Sequence, residues 1–180
     1  MTTQTHEDGL GGCITILEPG SETTPMRFRM ILPKGFGPPA AEYHRSQTED
    51  FRVLRGTLDL GKIDGKRVLL RAGETYHVPA GTYHLPTNGG DDELEIESTL
   101  TPGRESAAMF AALYQVTRDH RGLAQFARVA MVMRRFARVI TFSTPVSAVT
   151  CVLAGMARIF GVRLEAERAL AESATARRSV

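Results

Sequence analysis

The sequence predicts a mainly β fold followed by C-terminal α-helices, over 180 residues. Short segments that alternate apolar and polar residues fill the first hundred positions, separated by Gly, Pro and Asn turn signals at near-regular spacing. An Asp64-Gly65 dipeptide sits between two such runs, the strongest short-range hairpin signal. The third observation is a break in composition. Residues 1–103 carry 10 Lys/Arg against 15 Asp/Glu, whereas residues 104–180 carry 12 against 5, every one of these cations being arginine. The break marks a boundary near Pro102-Gly103 and divides the chain into a flexible leader (1–11), a β domain (12–103) and an Arg-rich helical extension (104–180).

The leader is polar and lacks a basic segment followed by an apolar one, so a secretory signal is not expected and the protein is read as cytoplasmic. Cys13 and Cys151 are isolated and match no metal or redox spacing, which reads as two reduced thiols. "MRFRMIL" (Met26 to Leu32) alternates before turning apolar, and "EDFRVLRG" sets Phe51 and Val53 on one face with Arg52 on the other. "TLDLGKIDGKRVLLRAG" is the hairpin around Asp64-Gly65, and "ELEIESTL" points Leu94, Ile96 and Ser98 one way. Many short strands with no helical period between them predict a sandwich or barrel.

After residue 104 the period changes. Leu123, Phe126, Ala130, Met133, Ala137 and Ile140 recur at three- and four-residue steps and predict a buried helical stripe about five turns long. Ser143-Thr144-Pro145 reads as an N-cap with proline at the first helical position, Gly161 as a C-terminal stop, and Arg163 to Ser173 as a last helix. Val139 to Ala157 is 19 residues without a charge. The helix after Pro145 would be roughly 24 Å long at about 1.5 Å per residue, short of a ~30 Å hydrocarbon core. The expectation is a helical hairpin packed on the barrel or on a second copy. Peripheral membrane contact is an unfavoured alternative. No nucleic-acid reading motif accompanies the arginines, so nucleic acid is excluded as a partner.

Two stretches carry the chemistry. "GPPAAEYHRSQTEDFRVLRG" gives Gly37, then Glu42-x-His44, four residues, Glu49, six residues and Gly56. "GETYHVPAGTYHLPTN" gives Gly73, five residues, Pro79, one residue, Gly81, two residues, His84, three residues and Asn88. These patterns resemble the two signature motifs of the cupin superfamily, the second at every defining position. The resemblance covers roughly residues 12–102 and implies a single jelly-roll-like cupin β-barrel, by default a homodimer. In the first motif Glu42 stands where cupins with full metal sites usually have histidine.

The residues support this independently. Residues two apart on a strand face the same side, so Glu42 and His44 can both point inward. Pro79-Ala80-Gly81 supplies a tight turn that delivers His84. With Glu49 these form a nitrogen and oxygen donor set suited to one divalent transition metal, Fe, Mn, Ni or Zn, with positions left open for substrate or oxygen. His44, Glu49 and His84 are the expected ligands, and Glu42 is either a fourth ligand or a general base. Tyr76 is expected to line the cavity and donate a hydrogen bond. His77 is out of phase with Val78 and is expected at the surface. Tyr43 and Tyr83 read as packing residues and Asn88 as a structural one; His6 and His120 receive no role. The implied function is a metal-dependent enzyme that oxygenates, isomerises or cyclises an enol, phenolic or polyketide-like small molecule. The alternative is a metal-free ligand-binding or sensing module whose basic helices contact a partner or a membrane surface.

Overall fold

The computed structural model describes residues 3–143 and residue 152. Ten antiparallel strands come first: β1 (Gln4–Glu7), β2 (Cys13–Glu18), β3 (Met26–Leu32), β4 (Glu42–Tyr43), β5 (Thr48–Arg55), β6 (Thr57–Ile63), β7 (Lys66–Arg71), β8 (Thr75–Val78), β9 (Thr87–Asn88) and β10 (Leu94–Thr101). Two helices, α1 (Ser106–Asp119) and α2 (Gly122–Arg135), and a final short strand, β11 (Thr141–Phe142), follow. The strands form a six-stranded sheet in the order β1-β2-β3-β10-β5-β8, a three-stranded sheet β7-β6-β9, and a two-stranded sheet β11-β4. This jelly-roll-like arrangement, with helices appended after the strands, is the fold class expected from the sequence.

Period-two alternation builds the core between the larger sheets. Along β10, Leu94, Ile96, Ser98 and Leu100 are buried, while Glu95 and Glu97 face out. Glu97 there pairs with Arg27 at 2.7 Å and with Arg29 at 3.5 Å. Glu49, Phe51 and Val53 of β5 point inward with Asp50 and Arg52 outward. Phe51, Val53, Leu58, Leu60, Leu94 and Ile96 thus bring both sheets into one cluster. Each such side chain contributes roughly 1.5–3 kcal/mol by leaving water. The Asp64-Gly65 hairpin forms as expected, with φ of 50° and 78° at its two central residues, the twist that matches flanking strands.

Gln47, also buried, joins the barrel to the helices: its amide donates to Pro102 O at 2.7 Å and to Ser106 Oγ at 3.0 Å, where α1 begins. Asn88 does comparable work between loops. Its Nδ2 donates to Leu32 O (2.9 Å) and Asp92 O (2.8 Å), and its Oδ1 accepts from Gly90 N–H (3.0 Å), which is the structural part the sequence assigned to it.

Two expectations need correction. The leader read as flexible contains β1, paired with β2 from Gln4↔Ile16 to Glu7↔Cys13. Its polar residues suit an exposed edge, and Thr5 Oγ1 lies 3.0 Å from Thr15 Oγ1 across the pair. Asp8 then closes the turn by accepting N–H bonds from Leu10 and Gly12. The five-turn buried stripe is also only partly realised. Ala130, Met133 and Ile140 are buried, but Leu123 is 88% and Phe126 53% exposed, and Ala137 is exposed. The helix stops at Arg135, so later residues lose the helical phase on which the stripe relied. The buried face is Ala130 to Met133 with Phe136, Val139 and Ile140, packed on Met109, Ala112 and Val116 of α1, a helix the periodicity did not single out. The expected elements at Ser143-Thr144-Pro145, Gly161 and Arg163 to Ser173, and most of the uncharged stretch, lie outside the described residues. Among the described residues no helix is long and apolar enough to cross a membrane.

Asn88→Ala leaves the Leu32 and Asp92 carbonyls without their donor. The expected cost is about 2 kcal/mol, read by urea denaturation. A loss below about 0.5 kcal/mol would show that these bonds are dispensable to the fold.

Candidate metal centre

Backbone pairing at one end of the barrel assembles the site. The turn Pro79-Ala80-Gly81-Thr82 closes with Thr82 N–H donating to Pro79 O at 3.2 Å. Gly81 has φ of 79°, the left-handed conformation that glycine takes most easily. Gly81 N–H also donates to His44 O at 2.8 Å, which ties this turn to the first histidine. Two residues beyond the turn, His84 and Glu42 exchange both backbone hydrogen bonds, at 2.8 and 2.9 Å. The motif spacing therefore places His84 beside the Glu42-x-His44 segment by direct main-chain contact. β5 brings in Glu49 from the next strand, with Leu100 and Val78 as its register partners.

All four expected ligands are buried: Glu42 at 9% exposure, His44 at 3%, Glu49 at 5% and His84 at 1%. Ligand atoms of Glu42, His44 and His84 lie within 4.8 Å of one another, a spacing able to hold a metal ion. Glu49 Oε2 lies 3.2 Å from Nε2 of both histidines. Its other oxygen accepts the Ser98 hydroxyl at 2.7 Å. Each imidazole also donates from Nδ1 to a carbonyl, His44 to Val139 O at 2.8 Å and His84 to Thr82 O at 3.1 Å. Because a carbonyl only accepts, Nδ1 carries the hydrogen and Nε2 is turned to the centre, the arrangement that metal-binding histidines use. Phe51 meets the His84 ring edge-on at 5.9 Å and forms part of the apolar surround.

The electrostatics follow from burial and from Glu49. Burial pushes the Glu42 carboxyl up to about 7, against the pull of His84 and His44. Burial would raise Glu49 too, but the hydrogen bonds and charge of the two imidazoles override it and hold Glu49 well below the usual carboxylate range. For His84, burial favours the neutral ring, yet the hydrogen bond and charge of Glu49 raise its pKa to about 9. His44 is raised by the same balance. The two buried carboxyls thus differ in role: Glu49 is a fixed anion and Glu42 is a group that exchanges a proton near neutrality.

The other singled-out residues lie elsewhere. His77 is exposed, as its phase predicted, with Nδ1 2.7 Å from Asp50 Oδ1. Tyr43 and Tyr83 pack on each other at 4.7 Å between ring centroids, consistent with their reading as packing residues. Tyr76 sits opposite Phe51 in the β5–β8 register and packs, half-buried, against the barrel core. It also lines a surface cleft with Ile63, Lys66, Arg67 and Leu69. Three groups at the site were missed in the sequence: the Ser98 hydroxyl and the Val139 and Thr82 carbonyls. The alternation already placed Ser98 inward among apolar residues, a usable signal. A backbone carbonyl leaves none.

The cupin domain family model matches residues 28–101. No curated protein matches the chain. Among solved structures, an RmlC-like cupin from Shewanella frigidimarina is 24% identical, with 58% of this chain and 88% of that one covered and a TM-score of 0.48. A sugar phosphate isomerase from a cupin superfamily, from Silicibacter pomeroyi, is 17% identical over 55% of this chain and 71% of its own, with a TM-score of 0.46. A predicted oxalate decarboxylase from Thermotoga maritima is 22% identical over 56% and 91%, with a TM-score of 0.43.

Protons and a divalent cation compete for the same donors, which fixes the sign of the pH dependence. Glu42 gives up its proton near pH 7 and His84 near pH 9. Apparent affinity for Mn(II) or Zn(II) should therefore rise from pH 6 to pH 9 with net proton release. Calorimetry in two buffers of different protonation enthalpy measures both, and a flat affinity across that range contradicts the assignment. In chelator the sign reverses. His84, with a folded pKa above its ordinary 6.5, contributes stability that is full below that pH and lost as the pH rises through about 9.

Proposed function

We propose, for a chain whose residues 28–101 match the cupin domain family model, that the protein is an enzyme using one divalent transition metal to isomerise or cyclise an enolisable small molecule. One observation carries the reading: Glu42, His44 and His84 bring ligand atoms within 4.8 Å of one another, and Glu49 Oε2 lies 3.2 Å from both Nε2 atoms, the imidazoles having Nδ1 tied to carbonyls. His44, His84 and Glu49 would hold the metal, and the mixed nitrogen and oxygen set fits Fe, Mn, Ni or Zn. When bound, such an ion supplies Lewis-acid polarisation of a substrate oxygen.

Glu42 does the work that the ligands do not. Buried beside the two imidazoles and left free of the ligand set, it is the carboxyl placed to act first as base and then as acid. In its ionised form it takes a proton from the carbon beside a substrate carbonyl, leaving the electron pair as an enolate. It then returns that proton to a different atom of the substrate, so the reaction is a net rearrangement that needs no oxidant. Glu49 stays ionised: its Oε2 would pass from the imidazoles to the metal, and the Ser98 hydroxyl holds the other oxygen. Phe51 and the neighbouring apolar core exclude water that would otherwise quench the enolate. An enol, phenolic or polyketide-like substrate fits an apolar wall beside a polarising centre.

Metal analysis of chelator-free protein should find about one equivalent per chain, lost in His84→Ala and kept in the surface variant His77→Ala. A wild-type chain that holds no metal, and whose melting temperature does not rise with added Fe(II), Mn(II) or Zn(II), overturns the enzyme reading in favour of a metal-free ligand-binding module. Glu42→Gln should keep its metal while slowing solvent-deuterium exchange into an aromatic β-diketone probe by about 10²- to 10⁴-fold. Loss of metal in that variant would instead make Glu42 a ligand. Oxygen consumption by the wild type with the same probe would replace isomerisation by oxygenation.

A further inference from the structure

The first metal-site strand is completed from the far end of the described chain. Helix α2 ends at Arg135, and the backbone turns through Phe136, whose carbonyl accepts from Val139 N–H at 2.8 Å and from Ile140 N–H at 3.2 Å. Phe136, Val139 and Ile140 are all buried, at 2%, 2% and 6% exposure. This turn aims the Val139 carbonyl at His44 Nδ1, 2.8 Å away. The next residues form β11, with Thr141 opposite Tyr43 and Phe142 opposite Glu42. Ser143 N–H extends the pairing to Ala41 O at 2.9 Å. β4 is only two residues long, held on one side by the Glu42–His84 bridge and on the other by β11.

We propose that residues 136–143 are a positioning element of the metal centre, in which the Val139 carbonyl orients the His44 ring and β11 holds Glu42 and His44 in register. The inference rests on the metal-centre reading of the site. Its physical basis is an asymmetry between the two histidines. His84 is oriented by Thr82 O, two residues away on its own turn, and so carries its support with it. His44 is oriented by a carbonyl 95 residues away, which is in place only while the helical extension is docked. Among the described residues no other group accepts the His44 Nδ1–H, and a free imidazole would present either nitrogen to the centre. Helices α1 and α2 and the turn that follows are on this account a structural part of the site, so any event that undocks them weakens one ligand selectively.

Two full-length variants separate this from a general packing effect. Ile140→Pro deletes the N–H that donates to Phe136 O and so loosens the turn that aims the Val139 carbonyl. Ser143→Pro leaves Val139 untouched but deletes the donor to Ala41 O. In histidine-labelled protein, hydrogen-bonded Nδ1–H resonances are expected for both His44 and His84. Ile140→Pro should abolish or shift the His44 signal alone and lower Mn(II) affinity by about 10- to 100-fold. Ser143→Pro should move both readouts in the same direction by less, and decides the matter if Ile140→Pro does not fold. An unchanged His44 resonance in a folded variant, or equal loss of the His44 and His84 resonances, overturns the proposal. The resonance needs no metal. A wild type that binds none while His44 still responds would therefore remove the metal reading and leave the positioning intact.

Discussion

A carboxylate buried at 5% exposure is the constraint to which the rest of this structure answers. An isolated charge in such a place would be prohibitive, so Glu49 must be matched on every side. His44 and His84 match Oε2 at 3.2 Å each, and Ser98 matches Oε1 at 2.7 Å. These partners come from different parts of the chain: the segment after β4, the turn before β9, and the middle of β10. Satisfying one anion therefore fixes three elements relative to β5. The same requirement explains the single polar side chain in the otherwise apolar inward face of β10.

From that anion the chemistry of the neighbours follows. Its charge raises the pKa of both imidazoles, that of His84 to about 9, while burial leaves Glu42 as the carboxyl that titrates near neutrality. A divalent cation bound at such a centre would compete with the protons of these groups. The centre also divides labour between two chemically identical groups by environment alone, Glu49 hydrogen-bonded and Glu42 desolvated. That division makes a proton-transfer reaction a natural use of the barrel.

The helical extension takes part in the same arrangement. α1 is stitched to the barrel through Gln47, and α2 leads directly into the turn whose carbonyl meets His44. The helices bury their apolar faces mainly against each other, in a cluster of their own. α1 is also packed on the six-stranded sheet, with Tyr114 buried among Ile14, Ile16, Met26, Phe28 and Leu100 and the Phe110 ring 5.0 Å from that of Phe28.

The amino-acid sequence by itself determined the strand pattern, the Asp64-Gly65 hairpin, the outward turn of His77 and the convergence of Glu42, His44, Glu49 and His84. Each rests on short-range geometry: a period of two along a strand, or a tight turn that carries a ligand a fixed number of residues past a glycine. The tertiary structure alone decided that polar residues 4–7 add an edge strand, that Leu123 and Phe126 stay exposed, and that β11 and Val139 O complete the site. Edge pairing and carbonyl acceptance are made by backbone atoms that every residue type possesses, so they write no signature in side chains. Helical periodicity likewise names a face without saying how far the helix runs or what it meets.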